Sequence, residues 1–146
     1  MTTYQVVELL NNFIPLKDDD LTHTNESFFY EPMDELKNNQ DYEIAFEPIF
    51  KLIEKYPLID FGSPGPFVHT LEFFKGQYEI HLFNSLNRKP TLLTALMLNR
   101  IINGENNKII KVNLIDRLQA FSTHPLIDKE TAEAIIDFVL FQRSNT

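Results

Sequence analysis

An all-α fold is predicted by three features of the sequence. Apolar residues recur at helical spacing along most of the chain, no segment sustains period-two alternation, and prolines and glycines punctuate the apolar runs. Runs joined by short turns predict a single-domain bundle of antiparallel helix hairpins over residues 1–146, or the related short solenoid-like stack. No internal repeat selects the stack, and no linker divides the chain.

Val6, Val7, Leu10, Phe13 and Ile14 mark a first helix, which Pro15 ends because proline lacks the N–H of the next turn. Lys17 to Glu26 reads as an exposed acidic loop. Phe28-Phe29-Tyr30 reads as an extended piece or as a turn packed on the core. Glu31-Pro32 resembles a helix entry, with a short helix to about Asn38. Between Asp41 and Tyr56 a broad apolar stripe is interrupted by Pro48, so that the helix either kinks or starts afresh there, and Pro57 closes it. Pro66 to Phe74 and Gln77 to Asn87 follow as a helical hairpin broken at Gly76. Thr91 caps Leu92 to Asn103, a helix apolar on nearly every face and therefore central, with Gly104 in the place of a left-handed C-terminal residue. Ile110, Leu114, Ile115, Leu118 and Phe121 mark the next helix, stopped by His124-Pro125. Asp128 caps the last, whose buried face is predicted to hold Ala132, Ile135, Ile136, Val139 and Leu140.

A chain of 146 residues that is 43% hydrophobic is long enough to bury roughly 70% of its unfolded surface. Thirteen Phe and five Tyr supply large apolar side chains for a core without cross-links. The absence of Cys removes disulfides, thiol nucleophiles, thiolate zinc sites and iron–sulfur ligation, and suits a reducing compartment. Met1-Thr2-Thr3-Tyr4-Gln5 has no basic region followed by an apolar one, and no stretch approaches 18 uncharged apolar residues. A soluble, cytoplasmic protein with no membrane partner is expected.

Charge is distributed unevenly. The first 60 residues hold thirteen Asp or Glu against four Lys or Arg, a net −9, while residues 61–146 hold eight against nine, a net +1. Crowded like charges raise the electrostatic free energy of a small fold, so a sustained excess points to an encounter with a cationic partner. That partner is read as a basic protein. Nucleic acid is not expected, because phosphates are neutralised by Lys and Arg and the chain has a pI near 4.9. Asp18, Asp19, Asp20, Glu26, Glu31, Asp34 and Glu35, interleaved with Phe28, Phe29 and Tyr30, resemble a contact surface in which aromatic anchors supply affinity and carboxylates speed encounter. The same acids also suit a merely solvated face, and the same aromatics a core.

Gly62-Ser63-Pro64-Gly65-Pro66 is read as a structural elbow: Ser63 can cap, the prolines fit a first helical turn, and the glycines permit unusual backbone angles. It makes a poor phosphate cradle. The P-loop lysine is missing, and Pro64 and Pro66 lack the N–H groups an anion would bind. Asn99 and Arg100 are polar exceptions in the central helix, assigned to hydrogen bonds that tie it to the elbow. His69, Glu72 and His81 permit a metal site by spacing. Their order is not H-E-x-x-H and no further ligands are marked, so neither a metal nor another cofactor is expected.

Asp60 to His69 with Leu71 and Glu72, then Arg88-Lys89-Pro90-Thr91, then Met97-Leu98-Asn99-Arg100-Ile101, together resemble small bacterial immunity proteins encoded beside polymorphic or contact-dependent toxins. The likeness covers about the middle third, Asp60 to Gly104. It implies a helical, non-enzymatic protein that binds a cognate toxin domain and blocks it. Contact surfaces diverge between cognate pairs in such proteins, so the shared motif and the interface need not coincide. Beside this stands a helical adaptor that binds another cellular protein, and behind both a metal-dependent enzyme centred on His69, Glu72 and His81.

Overall fold

Capping side chains set where several helices begin. Thr2 Oγ1 accepts the N–H of Gln5 at 3.1 Å while Gln5 Oε1 accepts the N–H of Thr2 at 2.8 Å, a reciprocal box that opens α1 (Thr3–Asn12). The computed structural model describes residues 1–17 and 24–145, and among these it has eight α-helices, two 3₁₀ turns and no strand. The all-α class is therefore the observed one. Contacts gather into two units, Met1–His81 and Leu82–Thr146, and the boundary falls inside α5 (Glu79–Arg88), not in a linker.

In Met1–His81, α1 packs on α2 (Tyr30–Leu36), on the 3₁₀ turn Tyr42–Ala45 and on α3 (Phe46–Lys55), while α4 (Gly65–Phe73) packs on α2. Val6, Leu10, Met33, Leu36, Ile49 and Phe50 are buried among these elements. Each such side chain contributes about 1.5–3 kcal/mol relative to exposure. Pro48 proves to be the third residue of α3. First-turn N–H groups have no acceptor within the helix, so the proline costs no hydrogen bond, and α3 starts two residues before it, directly after the 3₁₀ turn Tyr42–Ala45. Ile14 lies beyond the end of α1 and is 81% exposed, so it is not part of the inward stripe the spacing predicted.

Within Met1–His81 the close backbone approach of α4 is to α2. Between α4 and α5, Gly76 takes φ 95° and its N–H donates to the Glu79 carboxylate at 2.9 Å. That conformation is open to glycine and costly for other residues.

In Leu82–Thr146, α6 (Leu92–Gly104), α7 (Lys108–Phe121) and α8 (Lys129–Ser144) pack on one another. Thr91 caps α6 through a reciprocal bond with Thr94, Asn107 accepts the N–H groups of Ile109 and Ile110, and Asp128 accepts that of Thr131 at 2.7 Å. Ala95, Leu98, Ile102, Ile115, Leu118 and Ile135 form the core. Gly104 differs from expectation: it is the last helical residue and has no positive φ, with Glu105 following as the C-cap.

The inward face of α8 also differs from the predicted one. Thr131, Ile135, Val139 and Gln142 are buried, while Ile136 and Leu140 are 50% and 63% exposed. Polar residues take core positions here because they are satisfied there. Thr131 Oγ1 donates to Asp128 at 2.8 Å, and Gln142 Nε2 donates to Asn99 Oδ1 at 2.9 Å and to Asn103 Oδ1 at 2.6 Å.

Candidate partner-binding surface

The acidic and aromatic residues singled out by sequence fall within Met1–His81, and their placement starts with Asn25. This residue is 6% exposed, and its Oδ1 accepts the N–H of Leu16 at 2.8 Å, which brings the chain following α1 back beside the segment entering α2. Ser27 and Thr24 then bond in both directions: the Ser27 N–H donates to Thr24 Oγ1 and the Thr24 N–H to Ser27 Oγ, each at 3.3 Å, while Ser27 Oγ donates to the Thr24 carbonyl at 2.6 Å. A 3₁₀ turn, Glu26–Phe28, leads into α2, which resolves the sequence ambiguity at Phe28-Phe29-Tyr30 in favour of a turn.

Helical geometry sorts the three aromatics. Phe29 is 2% exposed, and its ring centroid lies 4.9 Å from that of Phe13, 4.7 Å from Phe67 and 6.0 Å from Phe61. These distances suit the tilted and edge-on pairs that aromatic quadrupoles favour. As a candidate anchor Phe29 is therefore corrected to core, with 2% of its surface exposed at the floor of the recess beside α1. Phe28 and Tyr30 each remain 49% exposed.

Glu26 and Tyr30 stand four residues apart, and the Tyr30 hydroxyl donates to Glu26 Oε2 at 3.0 Å. That bond holds the phenol above its ordinary pKa of 10.0, with desolvation and the negative charges of Glu26 and Asp60 acting in the same direction. The Glu26 carboxylate reaches the glycine elbow. A Cβ on Gly62 would sit 2.6 Å from Glu26 Oε2 and 2.3 Å from the Gly65 Cα, so side chains are excluded there by space as well as by φ 98°. Asp60 Oδ1 accepts the Gly62 N–H at 2.8 Å. Glu26, Tyr30, Asp60, the elbow and His69 thus surround one recess of about 380 Å³.

The elbow is structural in a way its composition did not specify. Gly62 and Gly65 both have positive φ, the Ser63–Pro64 peptide is cis, and Pro66 lies buried in the first turn of α4. Ser63 does not cap: Pro64 occupies the N-cap position and no side chain bonds the first turn. Asn99 is bound to Gln142 of α8, which gives the polar position in α6 a different partner from the elbow predicted for it. Arg100 is partly buried within the same helix.

Of the remaining acids, Glu31 is exposed, Asp34 pairs with Lys37 at 3.2 Å, and Glu35 lies 3.3 Å from the amino group of Met1. Asp18, Asp19 and Asp20 lie outside the described residues. On the other side of the Glu26–Phe28 turn, α1 and Phe28 line a second recess of about 580 Å³, whose walls include Leu9, Phe13 and Ile14 and whose margin carries Glu8. Sequence reading missed this groove. Spacing places Ile14, 81% exposed, in the inward stripe of the first helix, and it does not single out Leu9, 43% exposed.

His81 has other neighbours than those its spacing suggested. Its Nδ1 lies 2.9 Å from Glu47 Oε1 and its Nε2 3.5 Å from Glu43 Oε1, with the ring edge-on to Phe46. Among the described residues no group of three or more His, Asp or Glu side chains is placed to hold a metal ion, so His69, Glu72 and His81 do not form such a group. Among the same residues no helix is long and apolar enough to cross a membrane. No family model, no curated protein and no solved structure matches the chain.

Proposed function

We propose that the chain is an immunity protein that neutralises a cognate bacterial toxin domain by stoichiometric binding, with Met1–His81 as the binding unit. The observation that carries this reading is the division of charge. Met1–His81 holds fifteen acidic against five basic side chains, a net −10, and Leu82–Thr146 holds six against eight, a net +2. A field of that sign raises encounter rates with a basic surface by about 10 to 1,000-fold at low salt. A nuclease toxin, whose groove must attract phosphate, presents such a surface. Exposed Tyr30 beside Glu26 and Asp60, and exposed Phe28 on the α1 side of the turn, provide the desolvated contacts that charge alone does not supply. The motif likeness between Asp60 and Gly104 supports the same class of function.

Co-expression with the product of the neighbouring gene tests the proposal. Growth rescue and co-elution on gel filtration are expected, and failure of both rejects it. Reversing Asp18, Asp19, Asp20, Asp34 and Glu35 to Lys is expected to slow association severalfold while circular dichroism is unchanged. A rate that neither this reversal nor added salt alters would remove steering from the account.

A second reading, a helical adaptor, is favoured by exposed apolar residues within Leu82–Thr146. Ile109, Ile136, Leu140 and Phe141 are between 50% and 76% exposed. Capture of a cellular partner that Leu140→Ser abolishes, without any toxin binding, would select it.

A further inference from the structure

The Glu26–Tyr30 segment separates two recesses of unlike chemistry. We propose that together they form one docking surface for an amphipathic protein segment, whose apolar side chains enter the α1 groove while a Lys or Arg enters the Glu26–Asp60 recess. Its biological partner rests on the toxin-binding reading; the chemistry of the occupant is argued from the surface alone.

Helical geometry makes the division. Glu26 and Tyr30, four apart, turn to the elbow side and are joined by their hydrogen bond, whereas Phe28, midway between them, lines the α1 groove. The groove of about 580 Å³ is predominantly apolar, with Gln5, Glu8 and Asn12 also in its lining, and its apolar walls remain substantially exposed: Leu9, Ile14 and Phe28 at 43%, 81% and 49%. Contiguous exposed apolar residues of this kind mark contact surfaces more often than isolated ones do. An apolar groove alone would accept any hydrophobic segment, and the second recess narrows the choice. Glu26 and Asp60 bring two carboxylates to it, Tyr30 adds a phenol face, and none of its described lining residues is Lys or Arg. A guanidinium or ammonium group complements that lining, arginine best, because its planar fork can bond carboxylate oxygens and stack on a ring. The net −10 of Met1–His81 repels a nucleic acid or an anionic lipid surface and favours a cationic segment over a neutral one.

The probes are three synthetic helical peptides: one with a leucine face flanked by arginines, one with the leucines and glutamine in place of arginine, and one with the arginines and glutamine in place of leucine. Binding is measured by fluorescence anisotropy and mapped by amide shifts on the full ¹⁵N-labelled chain. The leucine–arginine peptide is expected to bind about tenfold or more tighter than either control, with shifts at Leu9, Ile14, Glu26, Phe28 and Gly62. Ile14→Ser removes a side chain too exposed to stabilise the fold, and Glu26→Gln keeps the acceptor for Tyr30. Each is expected to weaken that peptide severalfold with an unchanged far-ultraviolet spectrum. Equal binding of the arginine–glutamine peptide would reduce the effect to diffuse charge, and equal binding of the leucine–glutamine peptide would remove the cationic recess. Either result overturns the proposal, as do shifts confined elsewhere or self-association abolished by Ile14→Ser. If the toxin is neutralised equally by both variants and the peptides do not map here, the docking surface fails while immunity stands. If the peptide maps here and no toxin is bound, immunity fails while the surface stands.

Discussion

Met1–His81 holds nine of the thirteen phenylalanines and a net charge of −10, whereas Leu82–Thr146 holds four and a net of +2. The first unit packs an aromatic cluster around Phe13, Phe29, Phe61 and Phe67; the second buries aliphatic side chains with Asn99 and Gln142, whose amide network the exposed Asn103 joins. The contrast exposes two ways of setting helix phase. Large rings fix it by shape: Phe29 is enclosed by the cluster, whereas Phe28 touches it only through Phe13, at 6.0 Å between centroids, and stays half exposed. Hydrogen-bonded amides fix it by direction, because a buried amide that turned away from its partner would lose its bonds. Apolar residues left outside by this second rule, Ile136 and Leu140, are a by-product of giving the inward positions to Thr131 and Gln142.

The largest expected effect comes from breaking the aromatic cluster. Phe29→Ala should destabilise the protein by about 3–5 kcal/mol, measured by urea denaturation, while Phe28→Ala, at the adjacent but half-exposed position, should cost well under half as much. Similar losses for both would show that the cluster does not distinguish them. Gly62→Ala comes next: φ 98° and a Cβ 2.3 Å from the Gly65 Cα predict a loss of about 2–3 kcal/mol. Gln142→Ala leaves Asn99 and Asn103 without the amide donor they share, for an expected loss of about 1–3 kcal/mol. A neutral result would mean that direction does not set the phase of α8. Smallest, and opposite in sign, is Gly104→Ala. That glycine is helical and a methyl group added to it would meet nothing within 4 Å, so a gain of up to about 1 kcal/mol in thermal or urea unfolding is expected.

Much of the candidate surface was legible as composition and little of it as geometry. The acidic excess and the run Phe28-Phe29-Tyr30 are visible in the sequence, yet which ring turns inward depends on Phe13, Phe61 and Phe67, which approach from distant parts of the chain. Glu26 could not be joined to the elbow by spacing, since Gly62 lies 36 residues away. The Thr2 and Asn107 caps did carry a local signal, a short polar side chain just before an apolar helical run, that sequence reading passed over.

Local chemistry was enough for the all-α class, most helix limits, the caps at Thr91 and Asp128, and the uneven charge, because propensity, capping and formal charge act within a few residues of chain. Long-range packing chose the inward face of α8, the burial of Phe29, the partners of His81 and the meeting of Glu26 with Gly62. Each of those depends on which surfaces are brought together across long stretches of sequence, and a hydrophobic period specifies that a helix has an inner face without specifying what lies against it.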